Sequence, residues 1–277
     1  MRPALLLLPA GTLVAGVVGT SLVVTAAQSL GALALTGDGG LSLQAYRDLL
    51  ERESPGGALL LGASVAAAAT VVAATVGLAV VVVVRATSAG GRVVAAAAAL
   101  TVPVPHLVGS VAVALLLADS GMLARLASAD PGTWPQLVGG PWWIAAVAEL
   151  AWKESAFIAL VVLSALPAHT AELDETAAVL GASRWRRFRW VLLPLASPGL
   201  RLAATVSFVY ALGSYEVAWL LGPAYPETLP VLAYRLFTST DLAVRPEAMA
   251  ASLLLVLACA AVTVIGVLPL RRRWVDA

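Results

Sequence analysis

Apolar residues run along this chain in six long stretches, 5–27, 58–84, 93–117, 142–166, 202–221 and 248–268, separated by shorter polar connections. A helix needs roughly 20 apolar residues to cross a hydrocarbon core of about 30 Å, so each stretch is long enough to span. The strict alternation of a barrel strand is absent. The pattern therefore predicts an all-α fold, a polytopic membrane protein with six transmembrane helices. No internal repeat and no long linker divides it, so residues 1–277 read as a single domain. The first stretch continues to about Leu30 without a cleavage site before a polar domain, and reads as an uncleaved span.

Composition agrees with a bilayer setting. Hydrophobic residues make up 60% of the 277 and charged ones 12%, and the mean hydropathy is +0.92, more apolar surface than a soluble domain can bury. The net charge of +1 offers no basic stripe for nucleic acid. The single cysteine, Cys259, lies in an apolar run and suits packing rather than redox or metal chemistry.

The placement of charge is more informative than its sum. Six crossings put both termini on one side. On that side fall Arg2, Arg85, Arg92, Arg184, Arg186, Arg187, Arg189, Arg201, Arg271, Arg272 and Arg273, against Arg47, Arg52, Arg125, Arg235 and Arg245 on the other. By the positive-inside rule the richer side, with both termini, is expected to be cytoplasmic. Acids such as Asp38, Asp48, Glu51, Glu53, Asp119, Asp130, Glu227, Asp241 and Glu247 collect on the opposite side. Trp142 and Trp143 stand where an interfacial belt is expected, and the alanine runs 66–69 and 95–99 suit close helix packing.

The connection 167–201 is the longest on the basic side. Thr170 is placed to N-cap a short helix whose first turns hold Glu172, Asp174 and Glu175, where acids favour the helix dipole. Ala177, Ala178, Val179 and Leu180 continue it to Gly181, a residue type that ends helices. Thr176, Ala177 and Ala178 are small enough to enter a groove, and Glu175 offers a carboxylate for a charge-assisted hydrogen bond. The arginines at 184, 186, 187 and 189, interleaved with Trp185, Phe188 and Trp190, suit a headgroup interface before re-entry. On chemistry alone the segment fits either a docking element or an ordinary amphipathic loop.

The order of residues in this connection resembles the cytoplasmic signature of the binding-protein-dependent permeases of ABC importers. That signature is Glu-Ala-Ala, three residues, Gly, and an apolar-Leu-Pro about twelve residues later. Here the stretch reads Glu175-Thr176-Ala177-Ala178-Val179-Leu180-Gly181-Ala182-Ser183, then Val191-Leu192-Leu193-Pro194, with the glycine six and the proline nineteen residues after the glutamate. Thr176 departs from the usual alanine but stays small. The specific part of the likeness is 167–198; the layout extends over 58–268.

The resemblance implies the permease fold of a type I importer in the bacterial inner membrane, with 167–201 as a coupling loop. Its contact residues would be Glu172, Asp174, Glu175, Thr176, Ala177, Ala178, Leu180, Gly181, Ala182, Ser183 and Pro194. It also implies two copies of a cytoplasmic ATPase, a second permease identical or homologous to this one, and an extracytoplasmic solute-binding protein. ATP and magnesium would belong to the ATPase, since this sequence has no Gly-x-x-x-x-Gly-Lys-Ser/Thr phosphate loop. Leu180, where permeases resembling the sugar group carry aspartate, is similar to the polyamine, thiamine, iron and oxyanion importers, and the stretch 211–222 to the polyamine and thiamine type.

Within the spans, Glu149, Lys153 and Glu154 lie in the fourth stretch, and Ser207, Tyr210, Ser214, Tyr215, Glu216 and Trp219 in the fifth. Charged groups there cost about 2.5–3.5 kcal/mol each on insertion scales, so they face partners or a wet path. Glu149 and Lys153, four apart, are expected to pair on one helix face. Three carboxylates against one ammonium would favour a cationic or polyhydroxyl solute. His106, just after Pro103 and Pro105, reads as a polar group satisfying the carbonyls of a kink. A membrane enzyme using these carboxylates, or a structural scaffold, are the alternatives. The first lacks a nucleophile or a His-Glu-x-x-His constellation, and the second leaves the signature spacing unexplained.

Overall fold

The computed structural model describes residues 3–33, 40–86, 89–130 and 132–275. Arg2 and Asp38 lie outside the described residues, as do the side chains of Arg271, Arg272 and Arg273. The α-helices of the described residues are α1 (Pro3–Ser29), α2 (Gln44–Arg52), α3 (Pro55–Ala86), α4 (Ala89–Thr101), α5 (His106–Leu117), α6 (Met122–Leu126) and α7 (Ile144–Ala165). They continue with α8 (Thr170–Val179), α9 (Arg184–Arg187), α10 (Leu193–Gly213), α11 (Glu216–Leu221), α12 (Leu229–Phe237) and α13 (Arg245–Val275). The fold is all-α, as the apolar pattern predicts.

Among the described residues five helical stretches can cross a membrane by length and composition, Leu8–Ser29, Pro55–Ala86, His106–Leu126, Arg184–Gly213 and Leu242–Leu268. A sixth arises when α7 and α8 are taken together across an 83° bend. Helix α7 is long enough to span, but it carries Glu149, Lys153 and Glu154 inward.

Two of the expected spans are broken. The stretch 93–117 is not one helix: α4 ends at Thr101 and α5 begins at His106. Pro105 has no N–H to give the Thr101 carbonyl, the acceptor four residues earlier, and residues before prolines avoid the helical region. The stretch 202–221 is likewise interrupted. Helix α10 starts earlier, runs to Gly213, and is followed by a break at Ser214 and the short α11. Pro9 and Pro198, by contrast, sit inside helices that continue through them.

The chain groups into two compact units, residues 1–61 with 226–258 and residues 62–225 with 259–277. In the first, segments expected as plain connections contain α2 and α12. Leu49 of α2 is buried with Leu229, Leu232 and Leu236 of α12 and with Ala248 and Ala251 of α13. At the rim Arg52 meets Glu247 at 3.3 Å, and Arg235 meets Glu227 at 2.7 Å and Glu53 at 2.9 Å. The Glu227 and Glu53 carboxylates hold the Arg235 guanidinium protonated even more firmly than usual.

In the second unit α4, α5, α10 and α11 all pack on α7. Small residues set the spacing. Ala66, Ala69 and Ala73 of α3 are buried, as is Ala98 of α4, so both alanine runs contribute to packing. Ile158, Ala159 and Val162 of α7 share a core with Ala73, Val81, Leu192, Ala196 and Ala203. Trp142 is 81% exposed, but Trp143 is not an interfacial residue. It is buried in the left-handed conformation (φ 54°), and its ring lies where a side chain on Gly222 would go.

The contact between α7 and α10 is close enough that a Cβ on Gly199 would come within 2.8 Å of the Ala165 Cβ. Gly199→Leu is expected to force these helices apart and to lower stability by about 1–3 kcal/mol, the usual cost of overpacking. Denaturant unfolding of the purified chain in micelles measures it. An unchanged midpoint would mean that the two helices do not meet here.

Candidate functional site

Two arrangements carry the predicted residues. The first is the connection after α7. Thr170 is the first helical residue rather than the N-cap: it is buried, its hydroxyl donates to the Pro167 carbonyl at 2.6 Å, and His169 takes the cap position without a side-chain bond. Helix α8 ends as the sequence predicts. The Gly181 N–H donates to the Ala178 carbonyl at 3.0 Å and the Ala182 N–H to the Ala177 carbonyl at 2.9 Å, the paired bonds of a Schellman motif. Gly181 has φ +80°, a backbone that side-chain-bearing residues rarely adopt, although the space around it is open. Ser183 then caps α9 by accepting from the Arg186 N–H.

The exposed end of α8 is apolar. Val179 is 88% exposed and Leu180 81%, whereas Ala177 and Ala178 are half-buried. Glu172, Glu175 and Thr176 are exposed, and the Thr176 hydroxyl is turned back to the Glu172 carbonyl at 2.8 Å. Asp174 is held within the loop by Arg187 at 3.4 Å. A cavity of about 580 Å³ opens beside it, lined among others by Arg85, Thr170, Asp174, Glu175 and Arg187.

From α9 the chain passes through a π-helical turn, Phe188–Leu192, in which the Leu193 N–H reaches back to the Phe188 carbonyl. The wider turn lies immediately before Pro194 in the first turn of α10, where a tight α-turn would press the ring on the carbonyl four residues earlier. Leu192 and Ala196 are buried in the α7 core, so the loop is mechanically continuous with that helix.

The second arrangement is buried. The break between α4 and α5 leaves carbonyls without helical donors, and Lys153 supplies them. Its ammonium donates to the Thr101 carbonyl at 2.7 Å, to that of Val102 at 3.3 Å and to that of Val104. An ammonium has three hydrogens, and here each has an acceptor. The expected pair of Glu149 with Lys153 is thus not what these side chains form. Glu149, fully buried, meets His106 Nδ1 at 3.1 and 3.3 Å, and Glu154 Oε1 lies 3.5 Å from His106 Nε2. The other Glu154 oxygen accepts from the Ser207 hydroxyl, and the Tyr210 ring lies against the imidazole at 4.5 Å between centroids.

Helical spacing could not reveal this assembly, because its bonds join residues some fifty positions apart. The role of the kink-satisfying polar group belongs to Lys153, and His106 instead joins two carboxylates. Gly109 on α5 makes room: a Cβ there would stand 2.7 Å from a Glu149 oxygen. A cavity of about 230 Å³ adjoins the cluster, lined by His106, Lys153, Glu154, Phe157, Val206 and Tyr210 among others. Ser214, Tyr215, Glu216 and Trp219 are not part of it. They lie at the break and along α11, where the Tyr215 and Trp219 rings stack at 6.1 Å.

Removing the Lys153 donors tests this geometry. Lys153→Met leaves the Val102 and Val104 carbonyls without a donor, while that of Thr101 keeps the Val104 N–H at 3.2 Å. At about 1–3 kcal/mol for each buried group, a loss of at least roughly 2 kcal/mol is expected. Equilibrium unfolding in micelles reads it, and a loss below about 1 kcal/mol would show that water already serves these carbonyls.

Comparison with known proteins places the chain. The inner membrane ABC transporter permease protein YnjC of Escherichia coli is 34% identical over 173 residues, 62% of this chain and 32% of its own length. The trehalose/maltose transport system permease protein MalF of Thermococcus litoralis is 32% identical over 94 residues, 32% of this chain and 32% of its own. In each case the match spans about a third of the relative's length. Among solved structures, a bacterial ABC transporter involved in the import of the acidic polysaccharide alginate superposes with a TM-score of 0.72 at 16% identity, over 98% of this chain and 99% of that one. At that identity the likeness shows the fold. Residues 88–274, well over half of the sequence, match one family profile, and the chain belongs to the family of binding-protein-dependent transport system inner membrane components.

Proposed function

We propose that this chain is the membrane-spanning permease subunit of an ATP-driven solute importer and that α8 couples it to a cytoplasmic ATPase. The observation that carries the reading is the form of α8. It stands at 83° to α7, is closed by Gly181 in the left-handed conformation, and presents an exposed apolar end at Val179 and Leu180 beside Glu175. An isolated apolar tip with an adjacent carboxylate suits insertion into a partner's cleft. Membership of the permease family supports the same assignment.

In this reading residues 1–277 act as one permease domain with 167–201 as its coupling loop. Two ATPase copies bind ATP and magnesium, a second permease completes the path, and an extracytoplasmic binding protein delivers the solute. Displacement of α8 passes through the π-helical turn to α10 and α7, whose shared core is continuous with it. The same α7 carries the buried cluster, so movement of the loop and of the broken span are linked. Both termini face the cytoplasm of a bacterial inner membrane, supported by the arginine count. Leu180 before Gly181 favours a non-sugar solute such as an organic cation or iron. The sugar-named relative favours the second reading, a polyhydroxyl solute.

Glu175→Ala is expected to weaken ATPase docking by roughly 1.5–3 kcal/mol, the worth of a hydrogen bond to a charged group. Gly181→Val is expected to misdirect α8 through backbone strain of roughly 1–3 kcal/mol. In vesicles reconstituted with ATPase and binding protein, both variants should insert normally yet lose receptor-stimulated ATP hydrolysis and uptake. Full activity from both would remove α8 as the coupling element.

Orientation has its own measurement. In a Cys259→Ser background, Ser54→Cys should react with an impermeant thiol reagent in intact cells, and Ser183→Cys only after permeabilisation. The reverse pattern would put α8 on the wrong side for an ATPase.

A further inference from the structure

We propose that His106 is a proton-binding site in the membrane interior. In it an imidazolium, ion-paired through its two ring nitrogens with Glu149 and Glu154, fastens the broken α4–α5 span to α7.

Three observations lead there. Both ring nitrogens face carboxylate oxygens, Nδ1 those of Glu149 and Nε2 that of Glu154. A neutral imidazole has only one N–H, so either tautomer would aim a lone pair at a carboxylate; the imidazolium has two donors and satisfies both. Next, charge must balance where solvation is poor. Glu149 and Glu154 bring two negative charges and Lys153 one positive, all three buried, so one further positive charge makes the cluster neutral. Lys153 cannot bridge the carboxylates itself, because its three hydrogens are taken by Thr101, Val102 and Val104. Last, the Tyr210 ring packed on the imidazole presents the aromatic surface that stabilises a cation.

Among the described residues the neighbouring elements add no competing buried charge. Helices α6 and α11 pack on α5 and bring Arg125 and Glu216, both exposed, while α10 brings Ser207 and Tyr210 to the cluster. The balance inside therefore rests on four side chains and one bound proton. This proton adds to the Lys153 hydrogen bonds in tying the break to α7. Without it two carboxylates would face an uncharged ring across the α5–α7 contact.

The chain has two histidines, and His169 is exposed, so nitrogen NMR of the ¹⁵N-histidine-labelled full chain in lipid nanodiscs can resolve them, with His169→Gln fixing the assignment. At neutral pH both His106 ring nitrogens should carry hydrogens. One bare nitrogen overturns the proposal, and this measurement depends neither on transport nor on a destabilised variant. A thermal unfolding cycle tests the balance. His106→Gln should lower the midpoint, and adding Glu149→Gln should raise it again above that of His106→Gln, because neutrality returns. Losses that simply add would instead assign the cluster to packing.

Discussion

A backbone carbonyl in hydrocarbon has no water to accept from, so any break in a spanning helix must bring its own donors. The pair Pro103 and Pro105 opens such a break in the third apolar stretch, and much of the second unit can be read as its consequence. The donors come from an ammonium on α7. A buried ammonium then needs negative charge near it, and α7 supplies Glu149 and Glu154 within a turn of Lys153. Those carboxylates need donors in turn, which come from His106 at the first position of α5 and from Ser207 of α10. Even Gly109 follows from this order, since any side chain there would displace a Glu149 oxygen.

The other half of the design is mechanical. Helix α7 joins two regions of different character, a buried polar cluster along its body and an exposed, capped helix beyond its end. Between α8 and α10 the backbone passes through a π-helical turn, a form that α-helices adopt only under local demand. Leu192 closes that turn, Ala196 follows in the first turn of α10, and both are buried in one core with Ile158, Ala159 and Val162. A rigid, closely packed contact of this kind transmits displacement rather than absorbing it.

The parts of this architecture that the sequence discloses are the local ones. Six apolar stretches identify the class, and Gly181 marks the end of α8, because a helix end is decided within a few residues. The buried cluster is hidden for the opposite reason. The four-residue spacing of Glu149 and Lys153 describes only one helix surface, while the actual partners of both come from α4 and α5. The prolines that break the third span are plain in the sequence, yet Pro9 and Pro198 lie within unbroken helices, so proline alone does not decide. Trp142 and Trp143 are adjacent and alike in type; only the left-handed turn at Trp143 sends one inward and leaves the other exposed.

The Lys153 contacts also bear on how the chain enters the bilayer. Helices α4 and α5 are synthesised before α7, so their open carbonyls precede the lysine that completes them by some fifty residues. Neither partner is comfortable in lipid alone: one exposes bare acceptors, the other a bare charge. Partition of this segment into the bilayer is therefore least costly when the break and α7 enter together.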